Sequence, residues 1–143
     1  MVKNIKKVAV LGSGIMGSGI ACHLANIGLE VLLLDMISKD AATSNDKTVR
    51  NGLVNASLKN AIKSKPSPVF TNSVVKNIKT GNFTDNFEEI KDYDWIIEVV
   101  VERLDIKKEI FKKIVKEYEK IIGFLLYYNA KKNIKDISIT KSL

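Results

Sequence analysis

The run Lys7-Val8-Ala9-Val10-Leu11-Gly12-Ser13-Gly14-Ile15-Met16-Gly17 constrains the fold of this chain more than any other stretch. A short, mainly apolar run stops at glycines spaced G-x-G-x-x-G. A continuous apolar run bounded by glycine is the mark of a strand buried on both faces. After the glycines the period changes. Met16, Ile20 and Leu24 recur at i, i+4 and i+8, with Ala21 and Ala25 beside them, which predicts a helix. Gly28 stands where a helix C-cap belongs. Val31-Leu32-Leu33-Leu34 then reads as a second buried strand, closed by Asp35. Strand, helix and strand within about 30 residues make a β-α-β unit.

Each residue type in this unit has a physical task. Gly12 permits a tight turn. Gly14 lacks a side chain, so a pyrophosphate can approach the backbone. Gly17 lets helix and strand pack closely. The free N–H groups and positive dipole end of the helix face the same point. Gly12, Ser13, Gly14, Ile15, Met16 and Gly17 are therefore the candidate phosphate cradle. Asp35 can accept a hydrogen bond from a ribose 2′-hydroxyl, and its charge would repel a 2′-phosphate. That favours NAD over NADP as the cofactor.

The remainder is weaker in pattern. Val49, Leu53, Val54, Leu58, Ala61 and Ile62 predict one helix, ended by Lys65-Pro66-Ser67-Pro68 because proline cannot continue it. Ile78-Lys79-Thr80 reads as a small strand before a Gly81-Asn82 turn, and Phe87, Ile90 and Tyr93 as a short helix. Residues 95–101, WIIEVVV, predict a third strong strand. Ile106, Ile110, Ile114 and Tyr118, with Phe111 and Val115, predict an amphipathic helix. The fold class expected is α/β, an incomplete Rossmann-type parallel sheet with helices on both faces.

Composition supports one globular domain. The chain has 143 residues, 45% apolar and 27% charged, near the globular norm and far from a disordered or collagen-like mix. No apolar run approaches the roughly 20 residues that span a bilayer, so no membrane association is expected. The basic start and apolar residues after it do not extend to a signal peptide, because Gly12 interrupts them. A cytoplasmic location is expected. The single Cys22 excludes an internal disulfide and fits a reducing compartment. The formal charge of +7 does not point to nucleic acid. Residues 121–143 hold four Lys and one Asp, and the rest is scattered without aromatic interleaving. His23, the one histidine, falls toward the edge of the first helix's packed face, and Cys22 is expected as a packed thiol. With one histidine, neither a metal-ligand spacing nor a Ser-His-Asp set can be assembled.

Residues 7–35 (KVAVLGSGIMGSGIACHLANIGLEVLLLD) and 95–114 (WIIEVVVERLDIKKEIFKKI) together resemble the 3-hydroxyacyl-CoA dehydrogenase family. Residues 49–68 (VRNGLVNASLKNAIKSKPSP) resemble the form found at the head of fatty-acid oxidation fusion proteins. The resemblance covers about residues 3–120. It implies an NAD-binding Rossmann domain at 1–120, acting in β-oxidation by hydride transfer from a 3-hydroxyacyl-CoA to NAD⁺. It also implies that Glu102 and Lys107 lie near the nicotinamide half of the cofactor. Ser57 would contact the CoA part of an acyl-CoA substrate, with Lys63 and Lys65 available for its phosphates.

The resemblance implies a Ser-Asn-Thr-Ser motif, a catalytic His and a helical substrate domain further on, and residues 121–143 contain none of these. No catalytic residue is therefore assigned. Of those 23 residues, 17 are Ile, Lys, Asn, Leu, Phe or Tyr, types that A/T-rich codons encode. The tail at 121–143 is expected to be out-of-frame translation after a shift near residue 120, and the chain a truncated product. Its apolar third strand would then be a flat, unpaired edge, with residues 121–128 the segment placed to cover it as strand or helix. NAD(H) binding with negligible turnover is expected. Two other readings stay open: a stand-alone non-catalytic NAD-binding or redox-sensing module, and a dehydrogenase of the 3-hydroxyisobutyrate or 6-phosphogluconate type.

Overall fold

The computed structural model describes residues 4–100, 108–110, 112 and 125–127. Five strands form one sheet: β1 (Lys7–Leu11), β2 (Glu30–Asp35), β3 (Ile78–Asn82), β4 (Trp95–Glu98) and β5 (Leu125–Tyr127). Their order is β3-β2-β1-β4-β5 and every pairing is parallel. This is the Rossmann-type order, in which the direction of winding reverses beside β1 and leaves a crevice at the carboxyl ends of the strands.

Both faces of the sheet are covered, as continuous apolar runs require. Val8, Val10, Val31 and Leu33 point to one side, where they pack with Ala21, Cys22, Ala25, Val54 and Leu58. These come from α1 (Ile15–Asn26) and α3 (Gly52–Lys63). Ala9, Leu11, Leu32 and Leu34 point to the other side, against Phe87, Ile90 and Ile110. Strand alternation thus divides the apolar residues of β1 and β2 between two cores.

Several boundaries differ from expectation for identifiable reasons. The packed face of α1 is Gly17, Ala21, Cys22 and Ala25 rather than one containing Met16, which is 48% exposed. Small residues let the helix sit close to the sheet, and Met16 lies in the first turn, beyond the packed region. The helix ends as expected at Gly28, with Leu29 N–H on the Leu24 carbonyl and Gly28 N–H on that of Ala25, a Schellman arrangement.

The single helix expected at 49–62 is two: α2 (Lys47–Arg50) and α3. Asp46 caps the first through Thr48 N–H at 2.7 Å, and Asn51 separates them with ψ near 11°. β3 runs on through Gly81 and Asn82, because both residues still pair with β2, at Leu34 and Asp35. The turn comes afterwards, where Asn82 Oδ1 accepts from the N–H groups of Thr84 and Asp85. β4 ends at Glu98, short of Val101, with the Glu98 carboxylate accepting the Val100 N–H at 2.7 Å. The edge of β4 is not open: β5, drawn from the unusual tail, pairs with it from Ile96↔Leu125 to Glu98↔Tyr127.

Candidate dinucleotide-binding site

The glycine loop joins β1 to α1 at the carboxyl end of the sheet. Gly12 has φ of 111°, a conformation L side chains avoid. A Cβ there would also meet the Val99 carbonyl at 2.9 Å. Gly17 is fixed by close approach, since a Cβ would fall on the Gly12 carbonyl oxygen. Gly14 is different. It adopts φ −56° and ψ −176°, open to any residue, and a Cβ there would meet no protein atom within 4 Å. Nothing within the fold requires glycine at this position. Gly14 stands at the mouth of α1.

That mouth suits an anion. The first helical bond of α1 runs from Ser18 N–H to the Gly14 carbonyl at 2.9 Å, so the N–H groups ahead of it have no helical partner. Gly14 supplies no side-chain cap and the first turn holds no acidic residue. Ile15, 96% exposed, and Met16 are in this first turn.

Two clefts meet at Gly14. One, of about 280 Å³, is lined by Gly12, Gly14, Asp35 and Met36, with walls from Phe83, Phe87, Val99, Val100, Glu109 and Ile110. Phe83 and Phe87 stand edge to face, ring centres 6.3 Å apart. This cleft has an apolar body and a carboxylate at its rim, the features a nucleoside needs for ring and ribose. The second, of about 620 Å³, runs between α1 and α3. Its lining includes Ser13, Ile15, Ser18, Ser57, Asn60 and Ser64. A helix N-terminus with free N–H groups, flanked by one cleft with a carboxylate at its rim and by a second, larger one, suits a dinucleotide.

The predicted site residues divide accordingly. Gly12, Gly14 and Asp35 converge on the first cleft, and Ser57 lines the second beside the loop. Lys63 lines neither. It is exposed in a shallow groove with Asn55, Lys59 and Thr80, so the structure does not bring Ser57 and Lys63 to one pocket. Lys65 is exposed and is likewise absent from both linings. Glu102 and Lys107 lie outside the described residues. Ser13 borders the second cleft, is fully buried, and donates its hydroxyl to Asp35. His23 is exposed on α1 and lines neither cleft. Cys22 is buried, and burial pushes its thiol pKa up, the opposite of an activated nucleophile.

Phe83, Phe87, Met36 and Glu109 were not singled out as site residues. Phe87 carried a signal as an apolar helix position. Phe83 follows a strand that runs two residues further than its pattern suggested, and its N–H bonds the Asp35 carbonyl at 2.9 Å.

Residues 7–122 match the model of the 3-hydroxyacyl-CoA dehydrogenase NAD-binding domain. The chain belongs to this family. A Bacillus subtilis protein named as a 3-hydroxyacyl-CoA dehydrogenase is 47% identical over 128 residues, covering 84% of this chain and 16% of its own length. A Rickettsia felis protein named as a fatty acid oxidation complex trifunctional enzyme is 44% identical over 115 residues, covering 80% of this chain and 15% of its own. Among solved structures, the (S)-3-hydroxybutyryl-CoA dehydrogenase of Ralstonia eutropha superposes with a TM-score of 0.55 at 30% identity, covering 84% of this chain and 40% of that one. The chain thus spans less than half the length of each of these relatives. None of the described helices is long and apolar enough to cross a membrane.

Proposed function

We propose that this chain binds NAD at the glycine loop and serves as the NAD-binding part of a 3-hydroxyacyl-CoA dehydrogenase of fatty-acid β-oxidation. The observation that carries the reading is Gly14: a glycine with no conformational or packing reason inside the protein, at the N-terminus of a helix and between two clefts. Gly14, Ile15, Met16 and Gly17 hold the pyrophosphate with backbone N–H groups, those of Gly12 and Ser13 being taken by the Leu34 carbonyl and Asp35, and Asp35 accepts the adenosine ribose hydroxyl. Phe83 and Phe87 wall the adenine side. Glu102 and Lys107 serve the nicotinamide half. The bound nicotinamide supplies the hydride-accepting ring.

Oxidation of a secondary alcohol also needs a base for the hydroxyl proton. The only imidazole in these 143 residues is His23, which lines neither cleft. The chain by itself therefore binds the cofactor without appreciable turnover. Its working unit is residues 1–120, with 121–143 contributing β5 to the sheet. Ser57 contacts the CoA end of the substrate from the second cleft, and the location is cytoplasmic.

The test is equilibrium binding of NADH to the 143-residue chain, followed by nicotinamide fluorescence, with Asp35→Ala beside it. Saturable binding weakened by the substitution is expected. Absence of saturable binding, or steady NADH production from a 3-hydroxyacyl-CoA by this chain alone, would overturn the reading in its first or second part respectively.

A further inference from the structure

We infer that Ser13 is a positioning residue that enforces nucleotide selectivity through Asp35, by holding that carboxylate still rather than by touching the cofactor. The inference rests on the NAD-binding reading above. Ser13 is fully buried. Its N–H donates to Asp35 Oδ2 at 2.7 Å and its hydroxyl donates to the same oxygen. The Ser18 hydroxyl donates to the Ser13 carbonyl at 2.7 Å, so the serine that holds Asp35 is itself held from the first turn of α1. Met36 N–H occupies Asp35 Oδ1 at 2.7 Å.

An ionised carboxylate offers about four acceptor positions on its two oxygens. Three are filled from within the protein, two on Oδ2 and one on Oδ1. A single position on Oδ1 remains for a ligand. The group can neither rotate freely nor present a two-pronged edge, and one hydroxyl donor fits it. A phosphate ester in place of that hydroxyl has no proton to give, and it meets a fixed negative charge that cannot turn aside. The described lining of the same cleft adds a second carboxylate, Glu109, and contains no Lys or Arg to offset a phosphate. Selectivity against a 2′-phosphate therefore depends on Asp35 being immobile, and Ser13 makes it so across 22 residues of sequence.

The experiment is a double-mutant cycle on the full 143-residue chain, reading dissociation constants for NADH and NADPH. The proteins are wild type, Ser13→Ala, Asp35→Ala and the double variant. Losing one hydrogen bond to a charged group should weaken NADH binding by about tenfold. NADPH binding should change less, so that the NADH/NADPH preference falls. In the Asp35→Ala background the same change should alter neither constant by more than about twofold, because the two residues act as one unit. Ser13→Cys keeps the volume with a weak donor and should show the same fall in preference, which covers a failure of the alanine variant to fold. An unchanged preference in Ser13→Ala, while Asp35→Ala abolishes it, overturns the role of Ser13 and leaves the NAD reading intact. Equal weakening of both nucleotides that persists without Asp35 also overturns it, as a purely structural effect. If the wild-type chain binds neither nucleotide, the NAD reading falls and this inference with it.

Discussion

Gly14 and Gly17 belong to one motif, yet the structure gives them separable duties. A side chain at 17 collides with the Gly12 carbonyl, whereas one at 14 enters open space. Gly17→Ala should therefore damage the protein itself. Overpacking of this kind costs about 1–3 kcal/mol, visible as a lower urea midpoint at unchanged slope. Gly14→Ala should leave the midpoint within about 0.5 kcal/mol of wild type but weaken NADH binding by at least about tenfold, as a methyl group occupies the approach of the pyrophosphate. If both variants lose stability equally, the division of duties between them is wrong. Asp35 and the glycines were readable because the whole unit is contiguous in sequence. The buried role of Ser13 was not, since it depends on where Asp35 returns beside the loop.

Among the elements, one ion pair ties the connection from β2 to β3 to the turn after β3. Arg50, the last residue of α2, meets Asp85 with two bonds of 2.7 Å, Nε to Oδ2 and Nη2 to Oδ1. Its Nη1 donates to the Ala42 and Ser44 carbonyls, so one guanidinium ties the 42–44 segment to the turn after β3. Asn82, buried at the end of β3, donates to both Asp85 and Asn51. The hydrogen bonds from Arg50 and Asn82 lower the Asp85 pKa from 3.8 to about 2. A carboxylate whose folded pKa lies below its unfolded value stabilises the fold above the unfolded pKa and loses that contribution as pH falls toward the folded one. The melting temperature of wild type should thus exceed that of Asp85→Asn near pH 6. The gap should close between about pH 4 and pH 2. A gap that stays constant with pH would show that the pair adds nothing that titrates. The pattern of residues 37–64 concealed this clamp, because Arg50 and Asp85 are far apart in sequence and a polar stretch carries no periodic signal.

For the whole molecule, the readable parts were those buried on both faces. β1 and β2 appear as unbroken apolar runs because each presents residues to two cores. The C-terminal limit of β4 was not readable: Val99, Val100 and Val101 all favour strand, and Glu98 ends it by taking the Val100 N–H just where Val99 meets Gly12. The walls of the cleft beside Asp35 were equally hidden, because Phe83, Phe87 and Glu109 line it with Asp35 only through the strand order. The tail was the least readable part. Its composition suggested out-of-frame sequence, and Leu125–Tyr127, within the segment expected to cover β4, pairs with it. A strand left at the edge of a sheet with apolar residues and unpaired backbone groups invites pairing with another chain. Removing residues 121–143 uncovers β4, where Ile96 and Ile97 are buried. The shortened chain should then self-associate at concentrations where the 143-residue chain does not, seen as faster-sedimenting species in sedimentation velocity. It should also melt at lower temperature. If the two chains sediment and melt alike, β5 contributes nothing to covering the sheet, and the tail is as dispensable as its composition first implied.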